Sequence, residues 1–321
     1  RGYYGIGASA VPYSPELYTY LRITDINDDG TLNRTDLKSV SDEKASNYLL
    51  HPNDIVFART GASTGRNYFY DGTDGNFVFA GFLIKFSLDP SKVNPRYIKY
   101  YCQSQAYRNW IASFNTGSTR GNINAQTLAL MPIVLPDVKV QNRIVKILDA
   151  LENKRKINNK INNNLEQQAQ AIFKSWFVDF EPFSNQKPSD WSVSTLGNVS
   201  TMGAGGDKPQ NVSQTKTDSY QYPIYSNGLS DEGLYGFTDK PKISEESVTV
   251  SARGTIGFVC LRHIPYVPIV RLITLIPNKE FISAKYLYLW LKQLHITGTG
   301  TTQQQLTVPD FQKTEIIVPS Q

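Results

Sequence analysis

At 321 residues the chain is long enough for two domains of ordinary size, each with its own core. With 40% hydrophobic, 19% charged and 12% aromatic residues it has a globular composition. No stretch approaches the roughly 18 uncharged apolar residues of a membrane span; even the apolar segment 267–276 is interrupted by Arg271. A net charge of +5 is compatible with a polyanionic partner without requiring one.

Taken along the chain, short β-branched and aromatic runs at 54–58 and 77–86 read as strands separated by Gly, Asn and Asp turns. Residues 95–114 read as one amphipathic helix. The segment NTGSTRGNINAQTLALMPIVLP (115–136) then passes from small polar and amide side chains to an apolar run closed by Pro136. Cys102 here and Cys260 later stand away from any CxxC or Cys/His cluster, which predicts reduced thiols in a cytoplasmic protein and no metal site.

Asp137 is placed to cap a helix, and from there to about Phe177 there is no Gly or Pro. Apolar residues recur at three- and four-residue steps: Ile144, Ile147, Leu148, Leu151, Ile157, Ile161, Leu165, Ile172 and Trp176. Such a helix would span roughly 60 Å, with the seam of a coiled coil. Its amide-rich middle would be marginal alone in water, so it is expected to pack against another helix. Pro182 and Pro188 close the segment, and a second globular half starts near Trp191.

That half repeats the first. Arg1-Gly2 is matched by Met202-Gly203, residues 20–25 by 222–227, Ala58-Arg59 by Ala252-Arg253, and residues 97–101 by 286–290. The opening polar passage returns as GTGTTQQQLTVPDFQKTEIIVP (298–319), with Thr116, Gly117, Thr119, Ile133 and Pro136 matched by Thr299, Gly300, Thr302, Ile316 and Pro319. The order of these matches points to a duplicated α+β domain. Strands are expected at 247–252 and 269–276 and a helix at 283–295. The predicted division is a first domain over 1–136, a central helix over 137–181 and a second domain over 182–321. Residues 191–201 have no counterpart before Arg1, and the helix has none after Pro319. The sequence is therefore expected to be shortened at both ends relative to a full twofold repeat.

Motifs for catalysis are missing: no GxxxxGK[ST] loop, HExxH, GxSxG or [ND]PP[FYW] tetrapeptide occurs, and His51, His263 and His295 sit in unrelated contexts. The chain by itself reads as non-catalytic. Its donors lie in loops. Arg59, Thr60, Ser63, Thr64 and Arg66 form a Gly-punctuated stretch after a strand, matched by Arg253 and Thr255. The repeated polar passage adds Ser118, Thr119, Arg120, Asn122 and Asn124 in one copy, and Thr301, Thr302, Gln303, Gln304 and Gln305 in the other. Arg can read guanine O6/N7 and Asn or Gln adenine N6/N7, while hydroxyls and backbone N–H groups hold phosphates. Two matched frames with different side chains would suit two different half-sites.

The ordered repeat, the strand-Ala-Arg-Gly loops, the IVLP/IIVP passages and the helix start at residues 141–149 together resemble the specificity (S) subunits of type I restriction–modification enzymes. The resemblance covers essentially the whole chain. It implies two target-recognition domains that each bind half of a bipartite site on double-stranded DNA, with the long helix setting their spacing. It also implies docking of two modification (methyltransferase) subunits on the helix stripe and recruitment of restriction subunits. S-adenosylmethionine would then belong to the modification subunits and ATP and Mg to the restriction subunits, with no cofactor on this chain and adenine methylated by its partners. Two competing readings are a self-contained DNA-modifying enzyme, against which the missing motifs count, and a coiled-coil scaffold with duplicated protein- or glycan-binding domains.

Overall fold

The computed structural model describes residues 1–114, 122–298 and 304–320, in two units, Arg1–Asn158 and Asn159–Gln321. Strands of the first unit are β1 (Tyr3–Tyr4), β2 (Ala10–Pro12), β3 (Tyr18–Leu21), β4 (Lys38–Val40), β5 (Asp54–Ala58), β6 (Asn67–Tyr70), β7 (Phe77–Phe79) and β8 (Leu83–Ser87). Helices α1 (Pro95–Tyr101), α2 (Gln105–Ala112) and α3 (Ala125–Ala129) follow, then the long α4 (Val138–Phe177).

The run 55–58 is apolar without alternation because β5 is covered on both faces. Ile55 and Phe57 join Ile84, Ile98, Tyr107 and Ile111 under the helices, while Val56 and Ala58 join Leu21, Phe77, Phe79 and Leu83 on the other side. One sheet is antiparallel in the order β1-β8-β5-β6; the other runs β2-β4-β3-β7, with β3 and β7 parallel. The single strand expected over 77–86 is two, because the chain crosses from one sheet to the other between Phe79 and Leu83. The single helix expected over 95–114 is also two. Ser104 caps α2 by accepting from Tyr107 N, which interrupts the helix after Tyr101.

The second unit repeats this plan. Its elements are β9 (Ser192–Thr195), α5 (Leu196–Val199), β10 (Ser200–Ala204), β11 (Tyr222–Tyr225), β12 (Leu234–Thr238), β13 (Ser247–Val250), β14 (Val259–Arg262), β15 (Val267–Pro268), β16 (Ile273–Pro277), α6 (Ala284–Gln293), α7 (Val308–Phe311) and β17 (Glu315–Val318). The order β10-β16-β13-β14 answers β1-β8-β5-β6, and β12-β11-β15 carries the same parallel pair. β9 and β17 form a further antiparallel ribbon. Where the first unit packs Val56 between its layers, the second buries a polar set: Tyr266 Oη lies 2.9 Å from Ser247 Oγ and 3.2 Å from Thr274 Oγ1, and Arg262 Nε donates to Thr249 Oγ1.

Ladder register corrects three of the sequence matches. Tyr4 faces Ile84 as Ala204 faces Ile273, so Tyr3, not Gly2, stands at the place of Gly203. Phe57 faces Ile84 as Val250 faces Ile273, and Ile123 N bonds Arg59 O as Leu306 N bonds Ala252 O. Arg59 therefore stands at the place of Ala252, one residue out of step with Arg253. Ala80 N bonds Leu21 O as Ile269 N bonds Tyr225 O, which places Leu21 with Tyr225, where the sequence match had set Ile23. Shared Ala-Arg letters misled here because hydrogen bonds, not identities, set the pairing. The helix and exit matches are sound in three dimensions: Tyr97 Oη donates to Val134 O and Tyr286 Oη to Ile317 O, both at 2.8 Å.

Helix α4 begins where expected, with Val140 N donating to Asp137 Oδ1. Its inner face is not the stripe that sequence periodicity marks. Against the first unit it sets Gln141 and Val145, both buried, with Asp149 bonded by Arg96 and Tyr100, and Glu152 by Lys99 and Tyr100. Against the second unit it sets Phe173, whose ring lies 5.1 Å from Tyr286, and Glu166, which accepts from Tyr288. Burial opposes ionisation of Glu152, but its bonds from Lys99, Lys156 and Tyr100 outweigh that and hold its pKa at about 2, below the ordinary 4.5. A carboxylate depressed in the folded state stabilises fully above its unfolded pKa and loses that contribution as pH falls through the folded one. The wild-type melting temperature should therefore fall more steeply than that of Glu152→Gln between about pH 4.5 and 2. Parallel melting curves would show that the pairing does not survive in solution.

Candidate nucleic-acid interface

In each unit two polar segments meet at the exit of the central strand. Thr60, just past β5, bridges to Asn122, and Arg253, just past β13, donates from Nη2 to Gln305 Oε1 at 2.6 Å. Positive-φ glycines punctuate both turns: Gly61 and Gly65 in the first, Gly254 and Gly257 in the second. At Gly65 the need is steric as well, because a Cβ there would lie 2.5 Å from Ile111 Cγ2. The chain reverses tightly against the helical layer and leaves its donors at the rim.

The individual side chains have distinct fates. Arg59 is half-buried with its guanidinium 5.0 Å from the Tyr4 ring centroid, and its Nε has no hydrogen-bond partner among the described residues. Ser63 is half-buried, and Thr64 Oγ1 donates to Gly61 O. Arg66 is turned back into the fold: Nε is 2.6 Å from Asp28 Oδ1 and Nη1 donates to Ile26 O. Asn122 is exposed, whereas Asn124 caps α3 by accepting from Thr127 N at 2.8 Å. In the second unit Arg253 and Gln304 are exposed, and Thr255 Oγ1 is buried without a partner among the described residues. Ser118, Thr119, Arg120, Thr301, Thr302 and Gln303 lie outside the described residues.

Of the predicted donors, then, the structure brings Arg59 and Thr60 to Asn122, and Arg253 to Gln305, and gives Arg66 and Asn124 structural work. Tyr4, which supports Arg59, could not be found from spacing, because β1 reaches the site only through its pairing with β8. Among the described residues no group of His, Cys, Asp or Glu is arranged to hold a metal ion, and no helix is long and apolar enough to cross a membrane.

A family model for the type I restriction modification DNA specificity domain matches residues 12–167 and again 188–321. The chain belongs to this specificity-domain family. A Mycoplasma pneumoniae relative that bears, provisionally, the name type I specificity subunit S.MpnORF89P is 28% identical over 241 residues, 71% of this chain and 69% of the relative. The specificity subunit of the type I restriction enzyme HindI from Haemophilus influenzae is 25% identical over 354 aligned positions, covering 83% of this chain and 77% of that one. Among solved structures, the crystal structure of a type I restriction–modification S subunit from M. genitalium has the same fold, with a TM-score of 0.51 at 17% identity over 99% of this chain and 81% of that one. The chain is thus a type I restriction–modification specificity subunit, and its twofold strand order is the specificity-domain repeat seen in three dimensions.

Two substitutions rank the local roles in this specificity subunit. Asn124→Ala, which removes a helix cap, should cost about 1 kcal/mol. Gly65→Ala should cost more, since it adds both positive-φ strain and a clash with Ile111. Urea unfolding with unchanged m-values checks the ranking; a neutral Gly65→Ala would mean the turn relaxes freely.

Proposed function

We propose that this specificity subunit reads a bipartite site on double-stranded DNA, one half-site per unit, and directs adenine methylation and restriction by its partners. One observation carries the reading. The same four-stranded frame occurs twice and delivers a Gly-turned loop and a polar passage to the same rim, but with different donors. Homologous frames with unlike side chains suit an asymmetric site, as a pair of identical readers would suit a palindrome. Direct readout needs such donors held on a rigid scaffold, with bidentate Arg on guanine and Asn or Gln on adenine.

The long helix supports the second part. Ile147, Leu151, Ile157, Ile161, Leu165, Ile172 and Trp176 are all about half exposed or more, while Ile144 and Leu148 are half-buried. An apolar stripe of this length along one helix fits docking of modification subunits. The chain contributes recognition and docking; the methyl donor S-adenosylmethionine is held by the modification subunits, and ATP and Mg by the restriction subunits. The reading is of a non-catalytic cytoplasmic subunit.

Expression with its modification subunits in a host lacking DNA methylation, followed by genome-wide mapping of methylated adenines, tests this. A single bipartite motif is expected. Gln304→Ala should relax one half of it, at a cost of about 1–3 kcal/mol, and leave the other intact. Equal losses in both halves would defeat the one-unit, one-half-site assignment. Arg66, already paired with Asp28, should be replaceable by Ala with no change in motif.

A further inference from the structure

Two consecutive non-glycine residues of the second unit, Val270 and Arg271, have φ of 52° and 60°. A β-branched residue in the left-handed region is strained, and it persists only where its surroundings over-determine it. Here they do. Val270 N donates to Gly206 O and Arg271 N to Gly205 O, and Leu272 N closes the turn on Ile269 O at 3.0 Å. Val270 and Arg271 are both exposed, so burial does not explain the conformation.

A single amide ties this turn to the interface. Asn227 Nδ2 donates to Val270 O at 2.6 Å, and its Oδ1 accepts from Ala252 N at 2.8 Å. The two residues it clamps each immediately precede an exposed arginine, Arg271 and Arg253. Gln305 orients the second of these through its contact with Arg253 Nη2. The loop that carries Asn227 is itself fastened: Ser226 N bonds Gly233 O, and Arg262 Nη2 donates to Glu232 O while its buried guanidinium lies 3.6 Å from the Tyr225 ring centroid. By ladder register the first unit has Gly81-Phe82 in place of Val270-Arg271, Ile23 in place of Asn227, and Arg59 in place of Ala252. Its corresponding rim therefore carries an exposed Phe82 and no amide clamp.

We propose that Arg271 is a guanine-reading, specificity-determining residue of the second unit, acting beside Arg253, and that Asn227 is its positioning residue. The proposal rests on the bipartite reading above. A bidentate fork on guanine O6/N7 needs a fixed backbone approach, which the clamped turn supplies; a phosphate contact would need only a charge on a mobile stem.

The test uses the chain assembled with its modification subunits, with adenine-methylation maps and DNA-binding titrations for wild type, Arg271→Ala, Arg271→Lys, Asn227→Ala and Val270→Gly. Arg271→Ala should lower discrimination at one guanine of one half-site by about tenfold or more, with the other half-site unchanged. Lys, lacking the fork, should not restore it. Asn227→Ala and Val270→Gly should relax that same guanine while Arg271 is still present. Uniform weakening with an unchanged motif and a shallower salt dependence would make Arg271 a phosphate contact and overturn the assignment, as would a motif that is unchanged altogether. The intact half-site in each variant serves as the folding control. A wild-type complex without a bipartite motif would instead fail the underlying function.

Discussion

Ile123 N on Arg59 O and Leu306 N on Ala252 O are the bonds on which the rim of each unit depends. They fasten the returning polar passage to the first residues beyond the central strand, so that segments more than fifty residues apart share one edge. The strands themselves cannot slip, because a one-residue shift of β5 would send Ile55 and Phe57 to the wrong layer, and β5 is covered on both sides. Register is thereby set by burial, and the position of every rim donor follows from register. The same constraint explains how the two halves diverge safely. Side chains beyond the ladder change freely, from Thr60 and Asn122 to Arg253 and Gln305, while the strand order is kept.

The long helix solves a different problem. As an isolated peptide its amide-rich middle would be marginal, and exposed ion pairs contribute little. Its hold on each unit comes instead from a few buried groups: Gln141 and Val145 at one end, and Phe173 in an aromatic cluster with Phe177, Tyr286 and Trp290 at the other. Because these occupy the inner face, the regular apolar stripe is left on the outer one. The most periodic signal in the sequence thus marks an exposed surface rather than the one used within the chain.

The two units also differ in how their layers are joined. Apolar contacts through Val56 allow adjustment, whereas the second unit's buried Ser247, Thr249, Arg262, Tyr266 and Thr274 must each find a partner. That polar layer anchors the 226–233 loop through Arg262, and the loop in turn carries Asn227. Rigidity at the second rim is therefore built from within the core.

Much was legible in the sequence. The duplication, the α+β class, the capped helix from Asp137 and the matched exits before Pro136 and Pro319 follow from local chemistry: turn glycines, cap residues and hydrophobic period act over a few positions and leave their mark in the letters. The family resemblance rests on the order of those marks. What only tertiary structure decided is which residues face one another. Arg59 aligns with Ala252 and not with Arg253, Arg66 is spent on Asp28, Asn124 is spent on a cap, and Arg271 reaches the rim through a strained turn held by Asn227. Long-range hydrogen bonds and backbone strain have no periodicity and no spacing, so which donors stay free at the rim is settled only when the sheets close.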